Sequence, residues 1–484
     1  MSKTKNAYPT FVFIVCLINF LIRIPFFSRI LTNDANLYTV GVLRVFQNHL
    51  NPFVEFWGYK PPFLFELTAL LFKIFGPSII VGNALSAIAS SITLWYTYLL
   101  GTHLFNKKAG VWAMLILFFF PIFSAQSLQF TDAIFVTPLL LATIYYYYRS
   151  QRIGYLISAT LAVLTRETSI CIPIFLGIYE VFKTIYMASS RKKIKLYTAF
   201  FYWLPLAPFV LWMGINKYVF GWFLWPINIE FFTVDATFIQ RITFTLRVAF
   251  LQNGLYIPFA FIMLYVILVF TKKIHATYIQ IHATILFLSL FAVFIIFYSI
   301  GFFHPRYILF LYPYLCILAS GAIFTIWKPS INTYIAGGTC MILIAFQIFR
   351  YAYLPMQSWG EADLSILHTQ TLYTQSLQRI EQEFPNPLIV TSQVIYPWKH
   401  PYFGYAKQDK KSDMWTWNVN ISEEKSYAGV LRYASIKGLS PIIFIQQSDD
   451  MNSPAIFNDK RILFDKVYDG SINTTNYHLL YIIR

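Results

Sequence analysis

Charge is what this chain has least of. Only 12% of its 484 residues are Lys, Arg, Asp or Glu, about half the roughly 25% of a soluble globular protein. So few charges cannot clothe a water-facing surface of that size, which excludes an ordinary soluble enzyme. Acids are rarer than bases, 21 against 37. Cysteine is rarer still: Cys16, Cys171, Cys316 and Cys340 lie in apolar stretches without metal-ligand spacing. That spacing speaks against a metal site, and buried free thiols are expected. No internal repeat and no low-complexity linker is evident.

Apolar residues fill the space that charge leaves. The chain is 57% hydrophobic and 20% aromatic, with a mean hydropathy of +0.56, so lipid is its main solvent. A net charge of +16 invites a nucleic-acid reading, but its distribution argues against one. Residues 1–356 carry 25 Lys/Arg and 8 Asp/Glu, whereas residues 357–484 carry 12 and 13. The excess sits in short clusters between hydrophobic runs, the pattern of the positive-inside rule and not of a basic groove.

The first run, at about 9–27, follows Lys3 and Lys5. Arg23 interrupts it and no small-residue cleavage site follows, so a retained helix is expected and not a signal peptide. Ten further spans are expected at about 78–105, 109–128, 133–148, 153–166, 168–183, 196–219, 253–271, 279–300, 306–327 and 331–352. With the N-terminus cytoplasmic, eleven crossings put Lys107, Lys108, Arg149, Arg152, the run Arg191 to Lys195, Lys272, Lys273 and Lys328 on one side. Asp34, Glu55, Glu66, Asp132, Glu167, Glu230 and Asp235 fall outside or near that face, and only Glu180 lies towards the inside. The expected architecture is thus a polytopic α-helical membrane protein of about eleven helices over residues 1–354. A small extracytoplasmic α/β domain follows over 355–484, with a helix at 372–384, strands at 387–391 and 441–446, a helix at 423–437, and two last strands at 461–467 and 477–483 around an Asp469-Gly470 turn. Asn420 and Asn473 head glycosylation triplets, which are common by chance.

The first outer loop, 28–77, holds the densest signals. Asn33-Asp34-Ala35-Asn36-Leu37-Tyr38 opens a helical pattern, and Tyr59-Lys60-Pro61-Pro62 precedes an amphipathic run, Phe63 to Phe75, that carries Glu66 and Lys73. Thirteen residues are too few for a crossing, so this run is expected to lie along the interface. Asp132, before an apolar run, reads as a helix cap or as a cap that also belongs to a site. Arg166 and Glu167 at membrane depth need partners, either each other or a polar cavity. Arg306, in His304-Pro305-Arg306-Tyr307, suits phosphate through its planar fork, or it snorkels to headgroups. Arg241 and Arg247 share that pair of readings.

In this order the motifs resemble the GT-C superfamily of membrane glycosyltransferases, in the branch of the protein O-mannosyltransferases and the lipid A aminoarabinose transferase. The likeness rests on Asn33-Asp34-Ala35-Asn36-Leu37-Tyr38, Lys60-Pro61-Pro62-Phe63, Thr131-Asp132-Ala133, Leu164-Thr165-Arg166-Glu167-Thr168 and Pro305-Arg306-Tyr307, and spans about residues 10–320. The resemblance implies transfer of a sugar from a polyprenyl-phosphate donor to a hydroxyl of a lipid, glycan or protein acceptor, outside the cell membrane. It implies Asp34 as general base or acceptor orienter, Asp132 as its support, and Arg306 with Arg166 or Lys60 at the donor phosphate. Tyr38, Glu55, Glu66, Glu167, His304 and Tyr307 are further site candidates. Relatives often carry two adjacent acids in the first loop, where Ala35 stands here. A divalent metal would therefore need ligands from elsewhere, such as His49, His304, Glu55 or Glu66. A lipid-linked glycan flippase or a non-catalytic subunit of a glycan-assembly complex are the rival readings. The first expects ionisable groups near the midplane and repeated halves, and the second does not account for the first-loop constellation.

Overall fold

The computed structural model describes residues 7–31, 33–53, 60–188, 200–224, 237–301, 303–353, 362–364, 366–383, 388–391, 413–416, 442–447, 464–472 and 476–483. The expected helix at 423–437, the basic run 191–195, Glu55, Glu230, Asp235, Asn420 and Asn473 lie outside the described residues.

The membrane part begins with α1 (Ala7–Leu21), then α2 (Asn33–Gln47) and α3 (Phe63–Phe75) in the first loop. There follow α4 (Ile79–Leu104), α5 (Lys107–Phe118), α6 (Pro121–Gln126), α7 (Asp132–Tyr148), α8 (Arg152–Val163) and α9 (Cys171–Ala188). Then come α10 (Leu206–Phe220), α11 (Phe238–Leu246), α12 (Tyr256–Phe270), α13 (Tyr278–Ile300), α14 (Leu311–Ile326) and α15 (Pro329–Tyr353). Each expected apolar run contains a helix. Among the described residues five helical stretches are long and apolar enough to cross a bilayer alone: Tyr8–Phe26, Ile79–Leu104, Glu167–Ile185, Tyr278–Ile300 and Pro329–Ala352. Phe238–Gln252 and Tyr256–Phe270 meet at a 99° bend, and α8, α10 and α14 are shorter apolar helices. Twelve residues of α8 rise only about 18 Å, so a count of eleven crossings rests on the charge pattern and not on helix length.

The α14 helix sits at the centre. Its residues from Leu311 to Ile323 are buried on every face, as expected of an apolar helix without an amphipathic stripe. Ser320 donates to the Ala109 carbonyl at 2.8 Å, which fastens α14 to α5. The α4 and α5 helices touch backbone to backbone, because a Cβ on Gly110 would lie 2.6 Å from the Tyr98 carbonyl oxygen. Only glycine permits that approach. The four cysteines are free, and Cys16, Cys316 and Cys340 are buried.

The first-loop helices have a small core of their own. Ala35, Tyr38, Val42 and Leu43 of α2 meet Leu64, Phe65, Ala69 and Phe72 of α3, with the Tyr38 and Phe65 rings edge to face at 5.9 Å. The other face of α3 exposes Leu70, Ile74 and Phe75, the two-sided apolarity of a helix lying in an interface.

Beyond α15, helix α16 (Ile366–Glu383) leads to β1 (Leu388–Thr391), β2 (Asp413–Thr416), β3 (Ile442–Gln447), β4 (Phe464–Ile472) and β5 (Asn476–Ile483). They form one sheet of order β2-β1-β3-β5-β4, with β1 parallel to β2 and β3 and the other pairs antiparallel. Two corrections follow. Asp469-Gly470 is not a turn: both residues lie inside β4, opposite Leu479 and His478. Turn propensity gives way to the ladder, which takes up an irregularity at Lys466/Tyr468. Strand β2 is unexpected, since Asp413-Met414-Trp415-Thr416 is too short for alternation to show. This segment is tied back by Arg350 Nε to Asp363 Oδ2 at 2.6 Å and by Arg29 Nη1 to Thr371 Oγ1 at 3.0 Å.

Gly110→Ala is expected to destabilise the protein by about 1–3 kcal/mol, because a methyl must push the α4 backbone away. Gly214→Ala, where a Cβ meets nothing within 4 Å, is expected to gain about 0.5–1 kcal/mol of helix propensity. Thermal unfolding midpoints in detergent, falling for the first and not for the second, check both.

Candidate active site

Five segments far apart in sequence meet at one end of the bundle. Tandem Pro61-Pro62 start α3, since proline is tolerated in a first turn. The Phe63 backbone N–H donates to the Leu164 carbonyl at 2.8 Å. That bond sets Lys60 beside Arg166 and Glu167. Lys60 Nζ stands 3.2 Å from Glu167 Oε2 and 3.5 Å from Asp132 Oδ2, and Arg166 Nε approaches the same Asp132 oxygen at 3.8 Å. Tyr38 brings its hydroxyl to Asp132 from α2. The fifth segment, the 3-10 turn Pro305–Ile308 that leads into α14, carries Arg306, whose Nη2 donates to Asp34 Oδ2.

Contacts decide between the two readings of Asp132. The α7 N-cap is Thr131, without a side-chain cap bond, and Thr131 Oγ1 instead holds Gln126 at 2.8 Å. Asp132 faces cations and is not a cap. Arg166 and Glu167 do not rely on each other, because each reaches across to α7 or to Lys60. Arg306 is buried and does not snorkel. Tyr307 lies under both guanidinium groups, with Arg166 4.8 Å and Arg306 5.6 Å from its ring centroid. His304 acts locally. Its Nδ1 accepts the Arg306 backbone N–H at 3.4 Å, which caps the turn that presents Arg306.

Exposure separates the acids. The Asp34 side chain is 36% exposed, whereas that of Asp132 is 2% exposed. Asp34 can meet a substrate from outside; Asp132 can only hold its neighbours. Glu66, on the same helix as the Lys73 that opposes the shift, has its carboxyl pushed up by burial, and its Oε1 is buried without a hydrogen-bond partner. Glu55 lies outside the described residues. Arg241 bonds the Ile300 carbonyl and Arg247 is exposed, so neither enters the cluster.

A divalent metal fits poorly here. Asp34, Asp132 and Glu167 each already face a cation, His49 is exposed at the far end of α2, and among the described residues no three His, Cys, Asp or Glu side chains gather as a cage. One participant escapes sequence reasoning: the Tyr298 ring lies 5.2 Å from that of Tyr307. Tyr298 sits in an unbroken apolar run, where nothing distinguishes it from core.

The family model described as dolichyl-phosphate-mannose-protein mannosyltransferase matches residues 59–212, the stretch that carries Lys60, Asp132, Arg166 and Glu167. Among solved structures, ArnT from Cupriavidus metallidurans bound to undecaprenyl phosphate superposes with a TM-score of 0.57 at 12% identity, over 99% of this chain and 98% of that one. The chain shares the fold of that structure. A second structure, the oligosaccharyltransferase AglB from Archaeoglobus fulgidus in complex with an inhibitory peptide and a dolichol-phosphate, matches with a TM-score of 0.51 at 12% identity, over 90% of this chain and 69% of that one. No curated protein matches by sequence.

Lys60→Met is expected to cost about 3 kcal/mol, because it strands Asp132 and Glu167 near each other without their shared cation. Adding Glu167→Gln is expected to restore part of that loss. Unfolding midpoints around this double-mutant cycle measure the coupling.

Proposed function

We propose that this chain is a glycosyltransferase that moves a sugar from a polyprenyl-phosphate carrier to an acceptor hydroxyl on the extracytoplasmic face of the membrane. The observation that carries the reading is the convergence of Asp34, Lys60, Asp132, Arg166, Glu167 and Arg306 at one end of the bundle. The mannosyltransferase family match over residues 59–212 and the lipid phosphates named with the ArnT and AglB structures support the donor class.

The chemistry suits these side chains. The acceptor oxygen attacks the anomeric carbon, its proton passes to Asp34, and the bond from that carbon to the phosphate oxygen breaks with its electron pair on the carrier. Arg306, with Arg166 and Lys60, stabilises the charge that grows on the departing phosphate. The Arg306–Asp34 pair adds a condition. A carboxylate held by a guanidinium is not free to receive a proton from the acceptor, and the donor's phosphodiester anion competes for that same guanidinium by bidentate bonding. Donor binding draws Arg306 away and releases Asp34 for catalysis. Asp132, buried between Lys60 and Arg166, acts as a positioning residue. The eleven-crossing topology and the division into a membrane part (1–354) and an outer α/β domain (355–484) that selects the acceptor belong to the same proposal.

Asp34→Asn is expected to lower kcat about 10²–10⁴-fold without weakening donor binding, since Arg306 loses a competitor. Arg306→Met is expected to raise the donor Kd about tenfold or more. Turnover of a labelled polyprenyl-phosphate sugar by purified protein reads both, and undiminished turnover by Asp34→Asn would falsify the assignment. Cysteines placed at positions 34 and 410 are both expected to react with an impermeant reagent from outside; cytoplasmic labelling of either contradicts the topology.

A further inference from the structure

The opposite end of the same helices holds a second polar site that the transferase reading does not use. A cavity of about 260 Å³ is lined by Tyr147 and Tyr148 at the end of α7, Tyr179, Glu180 and Lys183 on α9, and Tyr278 and His282 at the start of α13. Asp132 begins α7 and Tyr147 nearly ends it, so about 22 Å of helix separates this cavity from the outer cluster. Glu180 is the one acid that the charge pattern leaves towards the cytoplasm, and Lys183, Arg149 and Arg152 around it are the bases of that side.

Its walls are aromatic. The Tyr147 ring lies 5.3 Å from Tyr148 and 5.4 Å from Tyr202, and Tyr179 stands 4.5 Å from the His282 ring. Tyrosine faces within about 6 Å of one point attract a cation, more strongly when water is excluded. At the bottom, Glu180 Oε1 accepts from the Tyr147 hydroxyl at 2.6 Å and from Lys183 Nζ at 2.9 Å. His282 Nδ1 is bonded to the Tyr148 hydroxyl at 2.8 Å, which fixes that wall. Lys183 is the movable part: its side chain is 39% exposed against 12% for Glu180, and such a partly exposed i,i+3 pair is held weakly. A ligand can replace the lysine on Glu180 at little cost and keep it as a partner for its own negative group.

We propose that this cavity binds an ammonium–phosphodiester zwitterion, the headgroup of a phosphoethanolamine-type phospholipid in the cytoplasmic leaflet. The ammonium sits among the tyrosines on Glu180, and the phosphodiester pairs with the displaced Lys183. One acid and one base facing a neutral ligand favour it over an anionic headgroup, which would bring its charge against Glu180. The choice of leaflet rests on the topology proposed above; the site itself is independent of the outer chemistry and stands whether or not the chain transfers a sugar.

Native mass spectrometry of the full chain in detergent tests this with phosphatidylethanolamine and phosphatidylglycerol of matched tails. The wild type is expected to retain the first at least fivefold better. Glu180→Gln is expected to abolish that preference. Tyr179→Leu is expected to weaken retention and Tyr179→Phe to preserve it, a contrast that loss of folding does not produce. Soluble glycerophosphoethanolamine distinguishes the source. If it displaces the lipid, the headgroup alone is recognised; if only the lipid is retained, in a Glu180-dependent manner, the membrane supplies the ligand. Equal retention of both lipids, or a preference that survives both Glu180→Gln and Tyr179→Leu, overturns the proposal.

Discussion

Charges taken out of water must find partners, and the ion cluster at one end of the bundle is arranged around that demand. Three acids and three cations from five segments neutralise one another at Lys60, Arg166, Arg306, Asp34, Asp132 and Glu167. No pair is local, so the cluster forms only when α2, α3, α7, the 164–167 loop and the mouth of α14 are all in place. Buried ion pairs of this kind add little net stability but are costly to break. The cluster therefore enforces one arrangement of that end of the bundle more than it strengthens the fold. The Phe63–Leu164 backbone bond and the α2–α3 core hold the same parts from behind.

That arrangement gives the acids unequal work. A buried carboxylate between two cations is held in place, whereas a half-open one can exchange its partner. The same logic returns on the inner side, where the exposed Lys183 leans on the more buried Glu180. In both places a buried ion is paired with a more open one, and the pair can part to admit a ligand. Helices α7 and α13 run between the two ends, so the bundle that positions the outer cluster also frames the inner cage.

The helices and the identity of the clustered residues are legible in the sequence. Periodic apolar runs and the rare charges between them carry that information, because bilayer thickness acts locally along the chain. Partners are not legible. Arg306 and Asp34 are 272 residues apart, and no spacing rule joins them. Tyr298 is hidden by its apolar neighbours. Arg23, which in the sequence only interrupts the first span, is buried and donates to Ser127 and the Asn19 carbonyl. In the last segment the Asp469-Gly470 dipeptide signals a turn locally, and long-range strand pairing overrides it.

The central claim is that a lipid phosphate and Asp34 compete for one guanidinium. The most direct measurement is the position of Arg306 in an experimental structure of the full chain with a non-transferable polyprenyl-phosphate sugar bound. Competition for the guanidinium places Arg306 on the phosphate, leaves Asp34 released, and sets the anomeric carbon on the side of Asp34. A bound donor whose phosphate lies away from Arg306, with the Arg306–Asp34 pair unbroken, would contradict it.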